Sequence, residues 1–155
     1  IKCFKKISPL PVNLIFIGYG ELENVIRKAC SENQNIHMHQ KVNIENLIKT
    51  IRHADYGICM IEPVSLSDRY SLPNKLFEYA FAGLKIISSN LPDIKEVTQK
   101  YNLGLTCNNS EDSLIKIIKK IIIKEESIKA KNLDQLSWAS QSIKLNQIYK
   151  NLLEH

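Results

Sequence analysis

Short apolar runs alternate along this chain with longer segments in which apolar residues recur every three or four positions. The runs cover residues 12–17, 35–39, 55–61, 85–89 and 103–107. We interpret them as buried strands, the first of which ends at the turn Gly18-Tyr-Gly20. Strands of this length that alternate with helices of ten or more residues are typical of parallel β-α-β units.

The helical segments each carry an apolar stripe at the spacing of one helix face. The stripes are Leu22, Val25, Ile26 and Ala29; Ile44, Leu47, Ile48 and Ile51; Ile94 and Val97; Leu114, Ile117, Ile118 and Ile121; and Leu145, Ile148, Tyr149 and Leu152. A further helix is predicted over about 73–82, because Pro73 suits a first turn and Gly83 suits the position just past the end.

These elements predict an α/β fold: a Rossmann-like, doubly wound parallel sheet of about five to six strands, with helices on both faces and extra C-terminal helices. We expect residues 1–155 to form a single domain of this type. In such sheets ligands bind at the carboxyl ends of the strands. The loops after Ile17, His39, Ile61 and Ser89 and the start of the Pro73 helix therefore form the predicted functional edge.

A polar stripe runs along the Pro73 helix and contains Ser71, Asn74, Lys75 and Glu78. One interpretation is the wall of a ligand crevice. The helix start would attract phosphate, Arg69 and Lys75 would add charged hydrogen bonds to a diphosphate, and Glu78 would accept two hydrogen bonds from ribose hydroxyls. The alternative is a core helix that Ser71 caps, with Glu78 in solvent.

Other motifs are weaker. Gly18 and Gly20 allow a tight turn that a sugar or phosphate can approach, but position 23 is Glu, where a dinucleotide fingerprint needs its third glycine. His37 and His39 share one strand face without a cysteine or carboxylate at metal-ligand spacing, so we expect no metal. The nucleophile turn of hydrolases and the Walker pattern are also absent from the sequence.

Composition narrows the class of protein. The net charge is +5, which would suit a nucleic-acid surface. Aromatic residues make up only 7%, however, and are not interleaved with the basic residues, so a nucleic-acid surface is weakly supported. The four cysteines, Cys3, Cys30, Cys59 and Cys107, are widely spaced, which suits reduced thiols and a cytoplasmic location. No apolar stretch of the sequence approaches the roughly 20 residues of a membrane-spanning helix.

The ordered set of these motifs resembles the C-terminal, donor-binding domain of a GT-B glycosyltransferase of the retaining family 4 (group 1) type. The stretches that carry the resemblance are 14–20, 35–42, 54–58, 71–79 with 82–83, and the closing helices from Trp138 to Leu153. That family has two glutamates separated by seven residues. The second matches Glu78, whereas the first falls on Tyr70, and a family glycine falls on Pro73.

The resemblance implies that Glu78 holds the ribose hydroxyls, that the N–H of Asn74 donates to phosphate, and that backbone near Lys41 and Val42 contacts the base. It implies a hexosyltransferase that uses a nucleoside diphosphate sugar, without cofactor or metal, to build a surface polysaccharide of the capsule or lipopolysaccharide type. No catalytic residue is assigned within this chain.

The chain begins with Ile1, and we expect it to be a fragment whose N-terminal acceptor-binding domain lies elsewhere, so that the isolated domain is inactive. The full enzyme would be cytoplasmic, in peripheral contact with the inner face of the membrane, and would bind no nucleic acid.

Two alternatives stay open. One is a GT-B-like sugar-nucleotide epimerase, although its glycine-rich, paired-glutamate signature is not present. The other is a non-catalytic α/β interaction module, which Tyr70 and Pro73 at the signature positions favour.

Overall fold

The structure, a computed structural model, describes residues 1–8, 10–124 and 127–153. Its five strands are β1 (Leu14–Ile17), β2 (Ile36–His39), β3 (Tyr56–Cys59), β4 (Lys85–Ser89) and β5 (Gly104–Cys107). Its helices are α1 (Lys2–Ile7), α2 (Glu23–Glu32), α3 (Ile44–Ile51), α4 (Leu66–Arg69), α5 (Asn74–Ala82), α6 (Pro92–Lys100), α7 (Glu111–Ile123) and α8 (Trp138–Leu153), with a 3-10 turn at Leu133–Leu136 before α8.

All strand pairs are parallel, which confirms the predicted Rossmann-like α/β class. The strands form two sheets, one with the order β1-β2 and one with the order β3-β4-β5. Side chains join them, because Ile58 of β3 packs against the same buried cluster as Leu14 and Phe16 of β1. The single predicted sheet is therefore present as two ladders, and Ile58 of the second packs against the core of the first.

Each sheet has its own core. The residues buried around β3, β4, α5 and α6 are Cys59, Leu76, Ala80, Ile86, Ile94, Tyr101 and Leu103. Those buried beneath β1 and β2 are Cys3, Phe4, Ile7, Ala29, Ile36 and Ile118. Because Ile118 belongs to α7, the helix that follows β5, the chain returns from the second sheet to close the core of the first.

Helix α1 was not predicted, because six residues are too few for a periodic pattern to stand out. It buries Cys3, Phe4 and Ile7 and packs against α7. Its lysines reach carboxylates of neighbouring helices: Lys6 Nζ lies 2.5 Å from Glu111 Oε2, and Lys5 Nζ lies 2.8 Å from Glu32 Oε2. The ion pair with Lys6 lowers the pKa of Glu111.

Some predicted apolar stripes are exposed in part or in full. Leu22 at the N-cap of α2, Val25 in its first turn and Ile44 at the start of α3 all face solvent, and Ile44 retains 80% of its surface. The stripe of α8, from Leu145 to Leu152, is also exposed. Periodicity identified the apolar face of each helix, but the described part of the chain supplies no element that covers these faces.

Within the described ranges, none of the helices is both long enough and apolar enough to span a bilayer.

Gly57 fixes the distance between α5 and the sheet. A β-carbon at Gly57 would overlap the ring of Tyr79, so the absence of a side chain on β3 lets α5 lie directly on it. Gly104 is required for a similar reason, since a β-carbon there would overlap the backbone of Ile86 on β4.

We predict that Gly57→Ala lowers the free energy of unfolding by about 1–3 kcal/mol, because the added methyl group overpacks this contact. Urea denaturation of the variant measures the loss. The same substitution should cost much less in a Tyr79→Leu background, where the ring is gone. Equal costs in the two backgrounds would show that the Gly57–Tyr79 contact does not set the position of α5.

Candidate functional site

Helix α5 begins beside the carboxyl end of β3 and is held there by packing on β3, β4 and α3. Leu76 and Ala80 are its buried residues. Pro73 occupies the N-cap position with extended backbone angles, and the helix ends at Gly83, whose φ of 82° is left-handed. Both ends therefore follow the sequence signals, with Pro73 one position before the first helical residue.

The N-terminus of α5 lacks the groups that usually satisfy the free N–H groups and the positive dipole end of a helix. No side chain caps it, and its first turn contains no acidic residue. The other helices from α2 to α7, all within the described part, have either a serine cap or an acidic residue in the first turn. The N–H groups of Asn74 and Lys75 thus retain the capacity and the positive helix dipole to bind an anion.

Ser71 does not cap this helix. Its Oγ donates to the carbonyl oxygen of Asp68 at 3.0 Å, which closes the end of the preceding helix α4. The prediction that Ser71 caps the Pro73 helix is therefore wrong in this structure. Ser71 is half-buried and links the two helices that flank the edge.

Lys75 and Glu78 lie on the first turns of α5, close to the end of β3. Burial raises the pKa of the Cys59 thiol to about 11, and the positive charge of Lys75 acts in the opposite direction, which places the ammonium within electrostatic reach of Cys59. The thiol is thus protonated near neutral pH and is not a nucleophile. Glu78 is half-buried. Burial raises the pKa of the neighbouring Tyr79, and the Glu78 carboxylate adds to that rise.

The segment 62–72 contains a short helix, α4, where the sequence analysis predicted only a loop. The sequence signal for this helix is a capping box at Ser65 and Asp68: the N–H of Asp68 donates to Ser65 Oγ at 3.1 Å, and Asp68 Oδ2 accepts from the N–H of Ser65 at 2.9 Å. This box orders the segment that presents Arg69 and Tyr70.

Arg69 and Tyr70 are both exposed, and the Arg69 guanidinium carbon lies 6.0 Å from the centre of the Tyr70 ring. Arg69 lines a cavity of about 470 Å³ together with Asn90 and Lys95 from the segment that follows β4. The structure thus groups Arg69 with the start of α6 through this cavity, which contains no lining residue from α5.

The turn after β1 is open. Gly18 and Gly20 have φ values of 135° and 159°, and a β-carbon at either position would meet nothing within 4 Å. Lys41, in the loop after β2, places its ammonium 4.7 Å from the centre of the Tyr19 ring. The loops after the two strands of the first sheet are therefore in contact, and half-buried Val42 leads from them into α3, which packs on α5.

The histidines of β2 are engaged in local hydrogen bonds. His37 Nε2 lies 3.0 Å from Asn13 Oδ1, and His39 Nδ1 lies 2.8 Å from the carbonyl oxygen of Gln40. A search of the described residues for three clustered His, Cys, Asp or Glu side chains that could hold a metal found no such group.

A buried hydroxyl fixes the loop after β3. Ser89 is 1% exposed, and its Oγ accepts from the N–H of Ile61 at 2.6 Å and lies 2.8 Å from Asn109 Oδ1. The Asn109 side-chain amide also donates to the carbonyl oxygen of Ile61. The carboxyl ends of β3, β4 and β5 are thereby tied together directly beneath the segment that carries Arg69.

Residues 1–124 match the family model described as glycosyl transferases group 1. The chain belongs to this family. A group 1 glycosyltransferase uses a nucleotide sugar donor and an acceptor as substrates, so membership makes this chain a glycosyltransferase domain. A search of proteins with curated descriptions gave no match.

In this glycosyltransferase domain the predicted site residues form three groups. Gly18, Gly20, Lys41 and Val42 belong to the loops after β1 and β2; Ser71, Asn74, Lys75 and Glu78 belong to α5 and its approach; and Arg69 and Tyr70 belong to α4. Sequence reasoning missed Ser89, Asn90, Lys95 and Asn109, because no motif spacing connects residues that meet only through the order of the strands.

We predict that Ser89→Ala lowers the free energy of unfolding by about 1–3 kcal/mol, since it leaves the N–H of Ile61 without its partner in a buried position. Ser88→Ala is the matched control. Ser88 is equally buried, at 0% exposure, but the hydrogen bond of its side chain within the described part of the chain is long, 3.4 Å to Thr98 Oγ1. Chemical denaturation should give a clearly smaller loss for Ser88→Ala, and equal losses would contradict the role given to Ser89.

Proposed function

We propose that this chain is the donor-binding domain of a retaining glycosyltransferase that transfers a hexose from a nucleoside diphosphate sugar during synthesis of a surface polysaccharide, such as a capsule or lipopolysaccharide. Family membership supports the transferase activity. The donor class and the position of the nucleotide rest on the edge formed by the two glycine-flanked loops and α5. Acceptor binding is assigned to surfaces outside this chain, so the 155-residue protein alone should bind donor without transferring sugar.

The observation that carries the proposal is the uncompensated start of α5. Its first turn has neither a capping side chain nor an acidic residue, and Lys75 adds a cation that is in no described ion pair. A diphosphate would accept hydrogen bonds from the N–H groups of Asn74 and Lys75 and would neutralise this positive end. The same groups would stabilise the diphosphate as it leaves during sugar transfer, which is the step that this arrangement can accelerate.

The same helix also offers a partner for the ribose of the nucleotide. Glu78 lies one turn beyond the phosphate-binding N–H groups, and a half-buried carboxylate there can accept from both vicinal hydroxyls of a ribose. The base would then reach the loops after β1 and β2. The open backbone at Gly18 and Gly20 supplies room, while backbone near Lys41 and Val42 supplies polar contacts.

A non-catalytic interaction module is the second candidate, and a specific observation favours it. Tyr70 stands where a sugar-binding carboxylate is expected, and Pro73 at the N-cap removes one N–H from the helix approach. A module of this kind would retain the fold without nucleotide affinity. Nucleotide titration therefore separates the two candidates.

We predict that Glu78→Gln weakens binding of a nucleoside diphosphate about ten- to a hundredfold while the fold is kept, because two charge-assisted hydrogen bonds to ribose are weakened. Isothermal titration calorimetry with UDP, GDP and ADP measures the change. The 2′-deoxy form of the tightest-binding nucleotide should bind more weakly to the native protein and lose little further affinity in the variant.

Glu96→Gln, which changes an exposed residue of α6, is the control for loss of one carboxylate and should bind the nucleotide as the native protein does. Equal affinity of the native protein for the ribose and deoxyribose forms would contradict the role of Glu78. Absence of binding by all three nucleotides would favour the interaction module.

A further inference from the structure

The cavity next to Arg69 is a second concave region at the same edge of the sheet. It has a volume of about 470 Å³ and is lined by Pro63 from the segment after β3, by Arg69, and by Asn90, Leu91, Pro92 and Lys95 from the segment after β4. A space of this size can hold a small polar ligand such as a sugar ring.

The charge in this cavity is of one sign. Arg69 and Lys95 are cationic, and none of the other lining residues is acidic. Neither cation takes part in an ion pair with a described residue. Two uncompensated positive groups around one space repel each other, and an anion between them removes that cost.

The carboxylate next to Arg69 along the chain does not neutralise it. Asp68 precedes Arg69, but its Oδ2 accepts from the N–H of Ser65 at 2.9 Å and from Ser65 Oγ at 2.7 Å, so its charge is used in the capping box of α4. The residue after Arg69 is Tyr70, which is uncharged and offers only its ring face to the guanidinium. The exposed side of Arg69 is therefore open to a ligand anion.

We propose that this cavity binds the carboxylate of an acidic donor sugar, of the uronic acid type, with Arg69 and Lys95 as its two cations and the Asn90 amide as a further hydrogen-bond donor. The inference rests on the proposed function, because it takes the sugar to be part of the nucleotide sugar. It specifies the substrate: a hexuronate is preferred over the neutral hexose of the same nucleotide.

The diphosphate itself has other partners. The cavity contains no lining residue from α5, whereas the N–H groups and the cation suited to the diphosphate belong to the first turn of that helix. A neutral hexose would leave both Arg69 and Lys95 uncompensated, since hydroxyl groups carry no charge. A carboxylate, by contrast, can accept from the guanidinium with two parallel hydrogen bonds and from the ammonium with a third.

Paired titrations of the chain test the inference. UDP-glucuronate is compared with UDP-glucose, and GDP-mannuronate with GDP-mannose, so that each pair differs only in the carboxylate. We expect the uronate of the recognised nucleotide to bind about tenfold more tightly, and raised salt to reduce that preference. Lys95→Gln should remove most of the preference and leave the affinity for the neutral sugar within about twofold of the native value, and Arg69→Gln should remove most of the preference as well.

Two control variants show whether the preference for the uronate depends on the cations of the cavity in particular. Lys119→Gln removes one exposed positive charge from α7 and should retain the preference, while Lys95→Arg keeps the cation and should retain it as well. Circular dichroism verifies that each variant is folded.

Equal affinity for the uronate and the neutral sugar would overturn the inference while leaving the proposed function intact. So would a loss of affinity for both sugars alike in Lys95→Gln and Arg69→Gln, since the cations would then act on the diphosphate. Failure of every nucleotide to bind would instead overturn the proposed function.

Discussion

The packing of α5 against the second sheet, β3-β4-β5, is the constraint on which the rest of the site depends. Gly57 presents bare backbone to the ring of Tyr79, and Leu76 and Ala80 fill the core beneath the helix. This packing leaves the rotation of α5 little freedom, because the ring and the two buried side chains lie on the same face. The first turn of the helix is thereby held at the carboxyl ends of the strands, with its unpaired N–H groups at the edge.

The loop after β3 is held by a different kind of contact. It has few apolar contacts of its own, and Val64 and Leu66 are exposed. Its backbone is instead tied to β4 and to the segment after β5 through Ser89 and Asn109. A buried hydroxyl that satisfies backbone groups can order such a segment with geometric precision, since its alternatives are unpaired polar groups. The segment that leads to Arg69 therefore depends on Ser89, at the end of the next strand.

The amino-acid sequence predicted the strands and most of the helices, since each strand is a short apolar run next to a turn residue and each long helix has one apolar face. It also predicted α5 with its end at Gly83, because glycine is suited to a left-handed position. It could not predict which apolar residues would be covered, as the exposed stripe of α8 and the exposed Ile44 of α3 show. Ser71 illustrates the same limit at the site: a serine next to a helix start can cap that helix or close the preceding one, and only the backbone path decides between them.

Four cations at the edge have no acidic partner among the described residues. Ion pairs in the described part link α1 to α2 and to α7, and others lie within α2, so the basic residues near the N-terminus are largely neutralised within the protein. Lys41, Arg69, Lys75 and Lys95 take part in none of these pairs, and each belongs to a segment at the carboxyl ends of the strands or to the first turns of a helix that starts there. Cations without an acidic partner at this edge, beside helix N-termini of the same sign, raise the local potential and attract a polyanionic ligand. The net charge of +5 gives no position for a ligand, whereas these four cations and the helix starts beside them are the groups on which the proposed nucleotide-sugar site rests.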